Sequence, residues 1–230
     1  MRYVTAAHNQ GNKMKLSKIV RGIAVLAVAS QLGYSAFASQ TPVFTTFGAL
    51  PAATFGGSGI PNDAVAITRF GTSGVLGLTA TQRFGSPVVT NDGAGRFTAT
   101  AGAYPGNPAN LSTWNFDFYI DNGGQTGNLY QLFMDVDPTA GENFKSFGPT
   151  SVSGVAQDSW NLGFNGFESF LGYSFDPNAA GEYTFLLTAS NSSVELARSL
   201  IVVQVPEPGS LALLGLGLVG LFGLRRRTAR

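Results

Sequence analysis

The 230-residue chain contains no cysteine and a single histidine, His8, close to its start. Thiolates and imidazoles are the usual ligands of zinc and copper, so their scarcity argues against such metal sites. It also excludes Ser-His-Asp and Cys-His nucleophilic chemistry for any product that has lost His8. Without cysteine there is no disulfide framework. The folded part must therefore be held together by its own apolar core.

Basic residues are also scarce through the middle of the chain. Nine of the fourteen Lys and Arg residues lie before residue 39 or after residue 224. The stretch from Ser39 to Val205 has five basic and twelve acidic residues, which gives it a net charge of −7. A body this acidic has no basic patch that would neutralise phosphates. A nucleic-acid partner is therefore not expected.

The middle of the chain lacks a sustained 3.6-residue period, and residues 60–65 allow at most one helical turn. Apolar and polar residues alternate instead, as expected of half-buried strands. Strands are predicted over 75–84, 96–101, 160–164, 183–189 and 194–203, and a hairpin over 114–136. In the first strand of this hairpin, one face carries the apolar residues Trp114, Phe116, Phe118 and Ile120. The other face carries Asn115, Asp117, Tyr119 and Asp121. Residues 39–204 are thus predicted to form a single all-β, antiparallel β-sandwich of about eight to ten strands, jelly-roll or immunoglobulin-like.

The first 38 residues have the order of a secretory signal peptide. Four basic residues between positions 13 and 21 precede a short apolar run, and Ala36-Phe37-Ala38 forms an A-x-A cleavage site. Cleavage is predicted after Ala38, with the secretory translocon and signal peptidase as partners. Met14 stands just before the basic region and is an alternative start. Cleavage would remove His8, so the mature body would contain neither His nor Cys.

Residues 205–230 have three parts in a fixed order. Pro206-Glu207-Pro208 is followed by sixteen uncharged residues, Gly209 to Leu224, and then by Arg225, Arg226 and Arg227. As a helix the uncharged run would measure about 24 Å, which is short for a bilayer core of about 30 Å but usable when flanking arginines snorkel. Basic residues beside a span stay on the cytoplasmic side. Residues before Pro206 are therefore predicted to lie on the opposite, non-cytoplasmic side of the inner membrane.

This tail resembles the PEP-CTERM sorting signal of Gram-negative bacteria that make exopolysaccharide. The resemblance implies that an exosortase, a membrane protease, recognises Pro206, Glu207 and Pro208. It also implies that 209–224 is a transient inner-membrane anchor and that Arg225 to Arg227 form the cytoplasmic stop signal. The expected destination is the cell surface or extracellular matrix. The resemblance covers about a tenth of the chain and implies no activity for the body.

No catalytic residue, metal ligand or cofactor is assigned from the sequence, and the body is expected not to be an enzyme. Asp135-Val136-Asp137 with Glu142 begins like a calcium loop, but later ligand positions do not fit, so a capped strand end with solvent-facing aspartates is favoured over a looser calcium site. A carboxylate-dependent glycosidase remains the less favoured alternative. Its candidate acids are Asp117, Asp121, Asp135, Asp137, Asp158 and Glu168.

The favoured function is a structural component associated with exopolysaccharide, and the second is a carbohydrate-binding, lectin-like module. Aromatic side chains stack on sugar rings, and the candidates are Trp114, Trp160, Tyr104, Tyr119 and Tyr173. Both tryptophans are in phase with the apolar faces of their strands. Tyr119 is the exception, because it lies on the polar face beside Asp117 and Asp121, and it is the candidate for a binding surface in this second interpretation.

Overall fold

The computed structural model describes residues 40–105, 111–139, 141–192 and 194–207. These residues form eleven strands and one short helix. The bounds are β1 Thr46–Gly48, β2 Val65–Phe70, β3 Gly74–Gln82, β4 Thr90–Asn91, β5 Arg96–Thr98, β6 Trp114–Asp121, β7 Asn128–Asp135, β8 Phe144–Thr150, β9 Val155–Trp160, α1 Asn165–Leu171, β10 Gly181–Asn191 and β11 Val194–Val205.

The strands form two sheets. One sheet has five strands in the order β1-β2-β3-β6-β9, and the other has six in the order β4-β5-β11-β10-β7-β8. The longest pairing joins β10 to β11 along their whole length, with Gly181 opposite Val205. All pairings between the named strands are antiparallel except β5 with β11, which run parallel. The expectation of a purely antiparallel body was therefore wrong at this one pair.

The two sheets share one apolar core. Phe116 on β6 of the five-stranded sheet stacks on Phe185 on β10 of the six-stranded sheet, with ring centroids 4.3 Å apart. Trp114 meets Tyr183 and Phe185 at 5.5 and 6.1 Å. Aromatic pairs at these separations contribute beyond the area they bury. This row of rings therefore fixes how the two layers face each other.

The predicted strand phases are confirmed, but several boundaries are not, and the hairpin expected over 114–136 is wrong because β6 and β7 lie in different sheets. Trp114, Phe116, Phe118 and Ile120 all enter the shared core, as the alternation predicted. The strand expected over 160–164 instead ends at its first residue, because β9 covers 155–160 and a turn leads into α1. α1 begins at Asn165 and ends at Leu171, and the residue that caps it, Gly172, has a φ of 65° that suits glycine. Residues 60–64 form no helical turn and belong to a loop before β2.

None of the helices within the described ranges is long and apolar enough to cross a membrane. The predicted signal peptide with Ala36 and Ala38 lies outside the described residues. So do Pro208, the predicted span 209–224, and Arg225 to Arg227. These assignments stay predictions from the sequence.

Candidate functional site

The sorting motif begins where the last strand ends. β11 lies between β5 and β10, and its final residue Val205 is buried and paired with Gly181. Pro206 and Glu207, the next two residues, are exposed. Proline has no N–H for the sheet ladder and its ring fixes φ, so Pro206 ends the strand and keeps the chain extended. The motif is therefore presented at the end of the sheet with no spacer between it and the folded body.

The first described residue lies at the same end of the body. The Gln40 N–H donates to Glu182 Oε1 at 3.2 Å, and the Gln40 carbonyl accepts from Arg96 Nη2 at 2.6 Å. The other oxygen of the Glu182 carboxylate accepts from the Gln204 side chain at 3.3 Å and lies 3.6 Å from Arg96 Nη1. One carboxylate thus contacts both the start of the body and the strand end that precedes Pro206. The first described residue, Gln40, and the end of β11 therefore lie at the same end of the folded body.

A loop packs over the outer face of the five-stranded sheet and shields part of it from solvent. We call residues 49–64 the covering loop. Leu50, Ala53 and Phe55 from this loop form a second buried cluster with Tyr119 on β6. Gly77 on β3 makes room for them, because a Cβ there would approach Leu50 and Tyr119 within 3.0 to 3.3 Å. Tyr119 is only 3% exposed, so the interpretation of it as a candidate for a binding surface was wrong.

Asp117 lies on the same outer face and is completely buried. Its Oδ2 accepts a hydrogen bond from the Thr81 hydroxyl at 2.7 Å, and its Oδ1 has no partner among the described residues. Burial raises the pKa of Asp117 from 3.8 to about 7. The Ser159 and Thr81 hydroxyls act in the opposite direction, and the nearby Asp158 carboxylate adds to the rise. The sequence placed this residue on a polar face. It gave no sign that the face is sealed.

Beside Asp117 the outer face opens into a groove of about 450 Å³. The covering loop, the end of β3 and the edge strand β9 line it. Its polar side chains include Asn115, Asp158 and Ser159, while Arg83 and Phe84 stand just beyond the end of β3. Phe84 is 77% exposed, and the Arg83 guanidinium carbon lies 5.6 Å from the centre of its ring. Neither residue was recognised from the sequence, because both fall inside the strand predicted over 75–84, whereas β3 ends at Gln82.

The Asp135 and Asp137 pair closes a turn. Asp135 Oδ1 accepts from the Asp137 and Asn143 N–H groups at 3.1 and 2.9 Å, and Asp137 Oδ1 accepts from Thr139 at 2.9 Å. The predicted capping role is confirmed, but Asp135 is buried and does not face solvent. Burial raises its pKa. In the described ranges no group of three or more metal-ligating residues lies close enough to hold an ion, and Glu142 instead accepts from the Gln40 side chain.

The other candidate side chains are dispersed. Trp114 is in the core, and Trp160 packs edge-on against Phe147 and Phe167, with ring centroids 5.0 and 4.8 Å away. The Tyr173 hydroxyl donates to the Leu162 carbonyl at 2.6 Å. The remaining acids also serve the backbone: Glu168 accepts from the Phe175 N–H and Asp121 from the Gly123 N–H. Of the five candidate aromatics, Tyr104 lies beside the groove, 5.1 Å from the Arg83 guanidinium carbon.

Comparison with known proteins identifies the tail. The chain ends in a signal that directs an exported protein to a processing enzyme. Residues 204–227 match the family model of the PEP-CTERM protein-sorting motif, so this signal is the tail of an exosortase substrate. The match covers Pro206, Glu207 and Pro208, the uncharged run and the three arginines. No curated protein and no solved structure matches the chain.

Proposed function

We propose that the body is a non-enzymatic β-sandwich, sorted by an exosortase, that becomes a structural component of the cell surface or extracellular matrix and associates with exopolysaccharide. The observation that carries the proposal is the position of the motif. Pro206 and Glu207 are exposed directly after β11, so cleavage at the motif would release the body without removing any residue of a strand. Export by the secretory translocon and removal of residues 1–38 by signal peptidase belong to the same proposal.

The carboxylates support a non-enzymatic role. A glycosidase needs two acids that both reach the substrate. Among the candidate acids, Asp117 and Asp158 lie on neighbouring strands, in adjacent positions of the β6–β9 pairing. Asp117 is fully buried, so its proton is not available to a leaving group in the groove. The stretch from Ser39 to Val205 also lacks the His and Cys of other hydrolytic mechanisms.

A carbohydrate-binding role is the second candidate, and the groove favours it. The sequence pointed to Tyr119, which is buried, but the exposed side chains of Phe84 and Asp158 both line the groove, and the Tyr104 ring packs against the groove-lining Arg83. Binding pockets commonly combine apolar walls with a few well-placed polar groups. The groove has this composition.

The sorting part is tested by changing Pro206, Glu207 and Pro208 together to Ala. We expect the variant to stay in the inner membrane with its arginine tail attached, while the wild type loses the tail. Glu195→Ala, an exposed change on β11, is the control and should be processed normally. Mass spectrometry of membrane and extracellular fractions distinguishes the two forms. Arg230 on mature extracellular wild-type protein would disprove the proposal that the tail is removed.

Polysaccharide association is tested by affinity electrophoresis of the mature protein through exopolysaccharide from the producing cells. Slower migration than in a plain gel supports association. Unchanged mobility would contradict association and leave a purely structural role. Loss of retardation with a chelator would show that the contact depends on a divalent cation. Release of reducing sugar from the gel would overturn the non-enzymatic assignment.

A further inference from the structure

The covering loop contributes a strained backbone to the groove. Phe55 has a φ of 50°, a conformation that residues other than glycine rarely adopt. The Gln157 side chain holds it there, because Gln157 Oε1 accepts from the Thr54 and Phe55 N–H groups, each at 2.7 Å. The next residue, Gly56, comes so close to the groove-lining Asp158 that a Cβ on it would lie 3.2 Å from Asp158 Oδ1. Strain held in place by several contacts is a feature of ligand sites.

A buried carboxylate, Asp117, lies behind the side chains that line the groove, and one of its oxygens has no hydrogen-bond partner among the described residues. Thr81, Asn115 and Ser159 line the groove, and the hydroxyls of Thr81 and Ser159 lie next to Asp117. Thr81 donates to Asp117 Oδ2, Asn115 Nδ2 donates to the Ser159 hydroxyl at 2.9 Å, and Asp117 Oδ1 has no partner within the described part of the chain. Buried polar atoms of folded proteins are nearly always hydrogen-bonded, and the exceptions are often found at functional sites.

The rim of the groove holds a guanidinium among aromatic rings. Arg83 lies 5.1 Å from the centre of the Tyr104 ring, 5.6 Å from Phe84 and 5.9 Å from Phe164. Its Nε is buried and has no partner among the residues that the structure describes. A guanidinium held by rings keeps its donors pointed in a narrow range of directions. Phe84 itself is 77% exposed, which leaves a ring face free at the mouth.

These features fit one chemical class of ligand. A pyranose has an apolar face, which suits the exposed ring of Phe84, and a rim of hydroxyls, which suits the Asp158 carboxylate as acceptor and the Arg83 guanidinium as donor. A groove of about 450 Å³ is within the size range of small-molecule sites. Building on the polysaccharide association proposed above, we propose that this groove binds a neutral sugar unit of a polysaccharide.

The charge around the groove is the reason for choosing a neutral sugar. Asp158 is exposed at the groove, and the stretch from Ser39 to Val205 carries a net charge of −7. A uronic acid or a sulfated sugar would bring a like charge to both, which costs binding free energy. Arg83 is the one basic residue among those that line the groove, and the rings surround it.

The test measures binding of the mature protein to two sets of oligosaccharides by titration calorimetry. One set contains neutral hexose oligomers and the other contains uronic-acid oligomers of the same length. Phe84→Ala and Asp158→Asn remove the stacking ring and the hydroxyl acceptor. Phe170→Ala and Asp63→Asn are matched controls, because Phe170 is 76% exposed away from the groove and Asp63 is an exposed carboxylate. Thermal unfolding of each variant checks that it is folded.

We expect a neutral oligomer to bind, and each groove variant to weaken it by about tenfold, or about 1.4 kcal/mol, while the controls change it less than twofold. Absence of binding by every neutral oligomer would overturn the inference, as would equal loss in the controls. Tighter binding of the uronic-acid set would overturn the assignment of a neutral ligand.

The same variants separate this inference from the proposed function. If the wild type is retained in the exopolysaccharide gel and both groove variants are retained equally, the groove inference fails and the polysaccharide association stands. If neutral oligomers bind at the groove but the wild type migrates freely in that gel, the groove inference stands and the association fails.

Discussion

Replacing Asp117 by Asn should make the protein more stable at neutral and alkaline pH, which is unusual for a buried polar position. Asn has nearly the same shape as Asp, and the Thr81 hydroxyl that donates to the carboxylate can donate to the amide oxygen. What the change removes is a negative charge that forms in a site with no exposure to solvent. Such a charge is costly when no cation is paired with it.

The size of the effect follows from proton linkage. Burial raises the pKa of Asp117 from 3.8 to about 7, so the folded state holds the proton more tightly than the unfolded state. The contribution of Asp117 to the free energy of unfolding is largest below pH 3.8. It falls as the pH rises from 3.8 to 7 and is constant above pH 7. A difference of about three pH units corresponds to at most about 4 kcal/mol of unfolding free energy, at about 1.4 kcal/mol per unit.

The assay is urea unfolding of the mature wild type, Asp117→Asn and the exposed control Asp63→Asn, at pH 4 and pH 8. We expect the gap between Asp117→Asn and the wild type to be within about 1 kcal/mol at pH 4 and to widen by several kcal/mol at pH 8. Asp135, whose pKa burial also raises, adds to the pH dependence of all three proteins and cancels in the difference. A gap that stays constant between the two pH values would refute the reasoning.

Three further outcomes are expected. Phe185→Ala, in the centre of the shared core, should lower the free energy of unfolding by about 3 to 5 kcal/mol in urea titrations, whereas the exposed change Phe170→Ala should lower it by less than about 1. Gly181→Ala should impair folding, because a Cβ at this φ of 157° would overlap the Pro138 carbonyl oxygen; reduced protease resistance would show it, and wild-type resistance would contradict it. N-terminal sequencing of envelope material should begin at Ser39, and an intact Met1 would disprove signal-peptide cleavage.

Which residues point into the core was predictable from the sequence. Alternation along β6 sends Trp114 and Phe116 to one side and Asp117 and Tyr119 to the other, because successive side chains of a strand point to opposite faces. The strands β6 and β7 were predicted for the same reason, but the hairpin expected between them was wrong, because β6 pairs with β3 and β9 in one sheet and β7 pairs with β10 and β8 in the other. The sorting tail was predicted because all of its parts are consecutive in the sequence from Pro206 onwards. Identifying it requires no contact with a residue elsewhere in the chain.

Which faces meet solvent was not predictable. The outer face of β6 reads as polar, but the covering loop lies over it, held in place by Gln157, a residue 102 positions from Phe55. Contacts over such separations depend on how the whole chain is threaded, and a local pattern does not encode them. The sequence by itself therefore determined the sorting motif and the phase of the main strands, and it predicts the export signal. Only the tertiary structure decided that Tyr119 is buried, that Asp117 lies in a sealed site, and that Arg83, Phe84 and Asp158 come together at a groove.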